Sequence, residues 1–305
     1  MNTMKLDHVP SLPGLYGTAV AAAARDRVFR KQAAEQLPWV RHEVDRVPVD
    51  VGELTRYQHL LGEPARDCLP SGFIHALAFP VAMSVMTADD FPLPLLGMIH
   101  LRNQVEHYRT VLFSERLDIS AWPRNMAAHR SGTQVEMVVE VRSSAELVWR
   151  GVSTYLAKGV HLPGLDEAPE ENPPRSGFAP PVPTAKWRLG ADTGRAYAAV
   201  SGDFNPIHLS AITAKALGMR ASIAHGMYLA SRALATARPE GVEAFSWDID
   251  FAAPVFLPAT VALSVRGPEG TRHGGTGAGS GTEYVGWNPR SGRKHFSGSV
   301  TPLPH

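Results

Sequence analysis

A proline-rich segment in the middle of the chain most constrains how this sequence can fold. From Val160 to Ala185 there are seven prolines, with four acidic residues between them. Proline at this density stiffens the backbone and removes donors that helices and sheets need. We therefore predict a semi-rigid linker over 160–185, which separates an N-terminal domain, 1–159, from a C-terminal domain, 186–305. The length of 305 residues is sufficient for two domains.

Composition excludes several classes of protein. Hydrophobic residues make up 44%, which is enough for a packed core, and 30 basic against 29 acidic residues leave a net charge of +1. With so small a net charge, the protein has no overall electrostatic field that would attract nucleic acid or an anionic membrane. No apolar run reaches the roughly 18–20 residues of a membrane span. The single cysteine, Cys68, excludes internal disulfides and cysteine-rich metal sites. The alanine run Ala19–Ala24 is too short for a secretory core of about 7–15 residues, so we expect a cytoplasmic protein.

The two parts of the chain look like diverged copies of one unit. Tyr57…Gly62 matches Tyr197…Gly202 at an offset of 140 residues. Each part has a helical stretch, Ala76–Met86 or His225–Ala237, and Pro80 must lie in the first turn of its helix or kink it. Strand-like runs follow each helix: Leu112–Ile119, Thr133–Arg142 and Glu146–Leu156, then Thr260–Arg266 and the residues from Thr282 onward. The pattern predicts an α+β fold in which a long helix lies against an antiparallel sheet, twice.

The stretch from Tyr197 to His208 carries the most chemical information. Gly202 and Asn205-Pro206 favour turns that bring Asp203 and His208 together. A short helix over about 210–217 follows, and Gly226 then lies at the start of the long helix with a free backbone N–H.

These groups are the ones that proton transfer beside a carbonyl requires. A carboxylate and an imidazole can share acid–base work on a water or hydroxyl. A backbone N–H can stabilise a developing enolate oxygen by about 3–4 kcal/mol. The alternatives are structural: Asp203 can cap a turn, His208 can be a surface or core residue, and Gly226 can serve packing.

The same residues resemble a known family. Ser201-Gly-Asp-x-Asn-Pro-x-His208, followed by Ala224-His-Gly-Met227, is similar to the motif of the MaoC-like dehydratases, or (R)-specific enoyl-CoA hydratases (hydratase 2). The N-terminal part resembles the divergent half of the two-part (3R)-hydroxyacyl-thioester dehydratases, through Leu69-Pro70, Phe79-Pro80, Phe91-Pro92 and Gly97–Asn103. The resemblance implies a double hot-dog fold, with two hot-dog domains that each wrap an antiparallel sheet around a long helix.

The resemblance also implies an activity. It is the reversible syn dehydration of a (3R)-3-hydroxyacyl thioester to the trans-2-enoyl thioester, a hydro-lyase reaction of fatty-acid metabolism. Asp203 and His208 would be the catalytic pair, Gly226 the oxyanion donor and Asn205 the residue that supports the pair. No metal and no cofactor is expected, the substrate is carried by CoA or acyl-carrier protein, and a homodimer is possible.

Substrate-binding residues are expected at the start of the long helix and on a strand of the N-terminal part. The first pair is His225 and Met227. The second is His100 and Asn103, since each half of a paired hot-dog borders the site of the other. Alternating polar residues on a half-exposed strand are the alternative explanation for the second pair.

The N-terminal part departs from the family pattern at its own turn. Gly62 to His75 spans 13 positions, against 23 from Gly202 to His225, so ten residues are missing. No catalytic pair is expected there, and the shortening is hypothesised to leave room for a longer acyl chain. Two other functions stay open: a thioesterase of the same fold, and a non-catalytic acyl-thioester-binding subunit that pairs with another dehydratase chain.

Overall fold

The computed structural model describes residues 1–29, 36–166, 177–267 and 281–304. Within these ranges the helices are α1 (Leu12–Phe29), α2 (Val51–Leu61), α3 (Ser71–Met86), α4 (Thr193–Ser201), α5 (Pro206–Leu209), α6 (Ala211–Ala216) and α7 (Gly226–Ala237). The strands are β1 (Asn2–Lys5), β2 (Val40–Val47), β3 (Met98–His107), β4 (Leu117–His129), β5 (Gly132–Ser143), β6 (Glu146–Lys158), β7 (Ala185–Leu189), β8 (Phe245–Phe251), β9 (Ala259–Arg266), β10 (Thr282–Trp287) and β11 (Lys294–Pro302).

The strands form one continuous sheet in the order β1-β2-β4-β5-β6-β3-β8-β11-β10-β9-β7. The first half contributes β2-β4-β5-β6-β3, and the second half contributes β7-β9-β10-β11-β8 when read from its own edge. These two orders are the same topology, and antiparallel pairing of β3 with β8 joins the halves. The internal repeat is therefore visible in the strand order, with β1 as an additional strand parallel to β2.

The two long helices, α3 and α7, are packed against this sheet and against each other. Both are lined with buried small and aliphatic residues. A Cβ atom at Gly72 of α3 would collide with the Ser231 side chain of α7, so glycine allows the two helices to approach closely. Tyr57 and Tyr197, which the repeat aligns, meet beside them with ring centroids 6.1 Å apart. The predicted α+β class and double hot-dog architecture are confirmed.

Two of the predicted elements have clearly different bounds. Helix α3 begins at Ser71 rather than Ala76, because Pro70 adopts an extended conformation and forms the N-cap. Pro80 therefore lies inside the helix, which excludes the first of the two predicted alternatives, a place in the first turn. Strand β4 begins at Leu117 rather than Leu112 and runs to His129, because the carboxylate of Glu115 accepts the N–H of Leu112 and holds a turn there.

The remaining predictions about organisation fall partly outside the described residues. Of the linker, 167–176 lie outside them, while 160–166 and 177–184 form neither helix nor strand. The glycine content of Gly267–Gly281 also predicts a flexible hairpin loop, and 268–280 of that run lie outside the described residues. The domain boundaries stay a prediction. Among the described helices, none combines the length and apolarity that crossing a membrane requires.

A buried hydroxyl connects the two halves at the start of α3. Ser71 accepts hydrogen bonds from the indole N–H of Trp149 on β6 and of Trp247 on β8, each at 2.8 Å.

We expect Ser71→Ala to lower the free energy of unfolding by about 2–4 kcal/mol, because each buried donor left without a partner costs about 1–3 kcal/mol. Urea unfolding measures the change. Ser246→Ala on β8, whose hydroxyl makes one long hydrogen bond of 3.5 Å, is the control and should change stability by less than about 0.5 kcal/mol. Equal effects of the two changes would contradict the prediction.

Candidate active site

The segment Gly202–His208, called here the acid–base turn, is built by its own short-range hydrogen bonds. Helix α4 ends at Gly202, whose φ of +73° is a conformation that glycine adopts without strain. The Asp203 Oδ1 atom accepts the backbone N–H of Asn205 at 3.2 Å. The Asn205 side chain in turn caps α5 by accepting the N–H of Ile207, and Pro206 occupies the first helical position. The glycine, aspartate, asparagine and proline of the Gly-Asp-x-Asn-Pro-x-His string therefore each have a conformational role.

His208 lies in α5 with one ring nitrogen fixed and the other available. Its Nδ1 is 2.8 Å from the backbone oxygen of Ile223, and because a carbonyl only accepts, Nδ1 carries the proton in the neutral ring. Nε2 is then an unprotonated base. Burial lowers the pKa of His208 below its ordinary value, although the charge of Asp203 and the bond to Ile223 oppose that shift. The neutral form of His208 is thus favoured near neutral pH.

The side chain of His225 contacts both His208 and Asp203. Its ring stacks on that of His208 with centroids 3.6 Å apart, and its Nε2 donates to the backbone oxygen of Asp203 at 2.9 Å. Burial lowers the pKa of His225 to about 3, and the neighbouring His208 adds to that effect. The side chain is only 2% exposed. His225, expected among the substrate-binding residues, thus has its side chain in contact with the acid–base turn.

Gly226 is the first residue of α7, so its N–H has no partner within the helix. The N-cap residue His225 makes no side-chain capping bond, and the helix end therefore stays open as a donor. A Cβ atom at Gly226 would lie 3.0 Å from Cζ of Phe251 at the end of β8. The glycine thus allows the backbone of α7 and this aromatic ring to approach closely.

Three other residues were expected to bind the substrate: His100 and Asn103 on β3, and Met227 on α7. The ring of His100 lies between the rings of Phe251 and Tyr155, with centroid distances of 5.2 Å and 4.6 Å. Since Phe251 is close to Gly226, His100 lies beside the start of α7. Asn103 is fully buried and accepts a hydrogen bond from Ser153 on the neighbouring strand at 2.8 Å. Met227 lies in the first turn of α7 and is 8% exposed.

Tyr16 in α1 reaches the same turn and was not anticipated from the sequence. Its hydroxyl donates to Asp203 Oδ1 at 2.7 Å. Burial, with the charge of Asp203 as a second cause, raises the pKa of Tyr16 well above its usual value, so the phenol keeps its proton. The two residues are 187 positions apart, and no local pattern in the sequence indicates their contact.

Two histidines and a carboxylate this close together also raise the question of a metal. Ligand atoms of Asp203, His208 and His225 lie within 4.8 Å of one another. The two imidazoles are stacked with 25° between their planes, so their in-plane lone pairs do not converge on one point. One nitrogen of each ring already donates to a backbone oxygen. This donor set suits proton transfer better than metal coordination.

A cavity of about 240 Å³ opens away from the acid–base turn, beside the start of α3. Glu63, Arg66 and His107 are among its lining residues. It lies where the first half lacks the ten residues of the acid–base turn, and no carboxylate–imidazole hydrogen bond or ion pair is described there. We therefore place the candidate site at the start of α7.

Comparison with known proteins identifies relatives of most of the chain. A family model described as a MaoC-like domain matches residues 173–282. The 3-hydroxyacyl-thioester dehydratase X of Mycobacterium tuberculosis is 33% identical over 237 residues, which are 77% of this chain and 83% of that relative.

Solved structures extend the comparison to the fold. A crystal structure of HtdX from Mycobacterium tuberculosis superposes with a TM-score of 0.72 at 29% identity, over 86% of this chain and all of that one. A MaoC-like dehydratase from Phytophthora capsici has a TM-score of 0.64 at 17% identity, over 88% of this chain and 97% of that one. These matches cover both halves, and the curated relative is 33% identical to this chain. The chain belongs to the MaoC-like dehydratase family.

Proposed function

We propose that this protein reversibly dehydrates (3R)-3-hydroxyacyl thioesters to trans-2-enoyl thioesters. One observation supports this most strongly: the side chains of Asp203 and His208 lie close together, within a cluster whose ligand atoms are within 4.8 Å of one another, next to the open N-terminus of α7. Acid–base groups and an oxyanion donor are the two requirements of chemistry adjacent to a thioester carbonyl.

Each group has a defined task in the dehydration direction. A base removes the proton from C2, and the electrons move toward the thioester carbonyl, whose oxygen gains negative charge. The N–H of Gly226 stabilises that charge. The C3–O bond then breaks, and the departing hydroxide takes a proton to leave as water. Asp203 and His208 share the two proton transfers, and Asn205 holds the Asp203 carboxylate through its backbone N–H.

The substrate class is inferred from the relatives. The curated relative is named a 3-hydroxyacyl-thioester dehydratase, which points to an acyl chain carried by CoA or acyl-carrier protein in fatty-acid metabolism. The first half also has a small apolar void of about 10 Å³ between Tyr155 and α3, whose lining includes Ala78, Phe79, Ala82, Met137 and Val139. A void of this volume holds about one water molecule, so it does not by itself provide a place for an acyl chain. We propose that His100, whose ring stacks on that of Tyr155, contacts the substrate beside the acid–base turn.

A thioesterase on the same fold is less compatible with these residues. That reaction would need a carboxylate or a nucleophile on a long helix, and neither α3 nor α7 contains an acidic residue. The hydroxyl of Ser231 in α7 is buried, where it bonds to Tyr57 and donates to the backbone of Met227. A purely binding subunit would need neither Asp203 nor His208 in this arrangement.

Crotonyl-CoA distinguishes these functions. We expect the protein to reduce the enoyl-thioester absorbance without releasing free thiol, and chiral chromatography to identify the product as (3R)-3-hydroxybutyryl-CoA. The rate should be unchanged after incubation with EDTA, because the proposed steps use only side chains and one backbone N–H. Release of free CoA would indicate hydrolysis instead, and a stable enoyl thioester at every chain length tested would refute the proposed function.

A further inference from the structure

The Asp203 carboxylate is held by a residue from the opposite end of the chain. Tyr16 belongs to α1, outside residues 173–282 that match the family model, and its hydroxyl donates to Oδ1 of Asp203 at 2.7 Å. The side chain of Asp203 is only 19% exposed. A contact of this length to an ionised carboxylate is a charge-assisted hydrogen bond, which is about twice as strong as a neutral one.

The two oxygens of this carboxylate have different surroundings. Oδ1 accepts both the hydroxyl of Tyr16 and the backbone N–H of Asn205, at 2.7 and 3.2 Å. Oδ2 is 3.7 Å from Nε2 of His225, and that nitrogen donates to the backbone oxygen of Asp203 instead. Two donors on one oxygen fix the rotation of the carboxylate and leave the other oxygen for the reacting atoms.

We propose that Tyr16 is a positioning residue that holds the Asp203 carboxylate so that Oδ2 faces the substrate. This inference rests on the proposed function. Tyr16 acts through Asp203 and does not itself transfer a proton, and the catalytic arrangement therefore depends on helix α1 as well as on the family motif.

Helix α1 is anchored so that it can perform this task. Leu12, one turn before Tyr16, is 3% exposed and belongs to the core. Its Cδ1 atom lies 3.6 Å from the position that a Cβ of Gly202 would occupy. The start of α1 therefore packs against the start of the acid–base turn, and the Tyr16 hydroxyl is held at a fixed distance from Asp203.

The test is Tyr16→Phe, which removes the hydroxyl and keeps the ring. We expect kcat for crotonyl-CoA to fall about 10- to 100-fold, the range for loss of one hydrogen bond to a charged group, while KM changes less than about twofold. Tyr108→Phe is the matched control, because Tyr108 donates to the carboxylate of Glu106 at 2.8 Å beyond the other end of β3, and its kcat should stay within twofold of the parent.

A double-mutant cycle separates positioning from packing. In an Asp203→Asn protein the added Tyr16→Phe change should lower kcat by less than about twofold, because the group that Tyr16 positions is already altered. The same loss in both backgrounds would overturn the inference, as would an unchanged kcat or an effect on KM alone. A rise in kcat would also overturn it, since the hydroxyl would then obstruct the carboxylate.

The design distinguishes failure of this inference from failure of the proposed function. If the parent and the Tyr108→Phe control hydrate crotonyl-CoA and Tyr16→Phe does so equally well, only the inference fails. If no protein in the set hydrates any enoyl thioester, the proposed function fails. Urea unfolding of the same four proteins of the cycle then still tests the contact, because coupled free energies support it and strictly additive ones contradict it.

Discussion

Replacing Asp203 by asparagine, or His208 by glutamine, is expected to lower kcat by about 10²–10⁴-fold. Asparagine has nearly the same shape as aspartate and keeps an oxygen that can accept from Tyr16 and Asn205. It lacks the charge and the basicity that proton transfer requires. The measurement is steady-state hydration of crotonyl-CoA, with melting temperature as the test that the variants are folded.

The two losses should not add. Both side chains serve the same substrate, so the double variant is expected to be only slightly slower than the slower single variant. Asp248→Asn is the control: this half-buried carboxylate on β8 bonds to Ser299 within the sheet, away from the acid–base turn. A folded Asp203 or His208 variant with a turnover near that of the parent would remove that residue from the mechanism.

The acid–base turn was predictable because its contacts are local. The turn at Gly202, the N–H of Asn205 on Asp203 and the cap on α5 all join residues within a few positions of one another. Such contacts are encoded by turn-forming residues at fixed spacing, and these are legible in a single sequence. The N-terminus of α7 was predictable in the same way, because the glycine after His225 indicates the start of a helix with a free backbone N–H.

The sheet was partly predictable for a different reason. The aligned Tyr57 and Tyr197 stretches indicated a repeat, and one repeat unit implies the same strand order in both halves. Nothing in the repeat predicts β1 and α1, because neither has a counterpart among the described elements of the second half. The repeat therefore could not predict the contact of Tyr16 with Asp203.

The elements whose bounds the sequence misplaced begin where side chains make specific hydrogen bonds. Strand β4 was expected from Leu112 because of the aromatic content and partial alternation of Leu112–Ile119, but Glu115 and Arg109 form a charged turn there. Helix α3 begins at Ser71, directly after the extended residue Pro70, and the hydroxyl of Ser71 accepts the indole N–H groups of two tryptophans in the sheet. Residue patterns do not reveal partners that come from distant strands.

Gly226→Ala is expected to lower kcat by about 10²-fold or more, the loss typical for one oxyanion donor. Alanine forms helices better than glycine by up to about 1 kcal/mol, so a role in helix stability alone predicts an equal or higher melting temperature and an unchanged rate. The added methyl group would instead keep the thioester oxygen away from the N–H of residue 226. Steady-state kinetics and thermal unfolding of the same preparation measure both effects.

The position of Phe251 provides a second explanation that the experiment has to separate. The new Cβ would lie 3.0–3.4 Å from three atoms of that ring, and this is close enough to displace it. Phe251→Leu creates room, so the informative quantity is the ratio of kcat between Phe251→Leu and the variant that also carries Gly226→Ala. A ratio near 10² assigns the loss to the blocked donor, because the crowding is then absent. A ratio near one assigns Gly226 to packing against Phe251, and the charge on the enolate oxygen would have to be stabilised by another group.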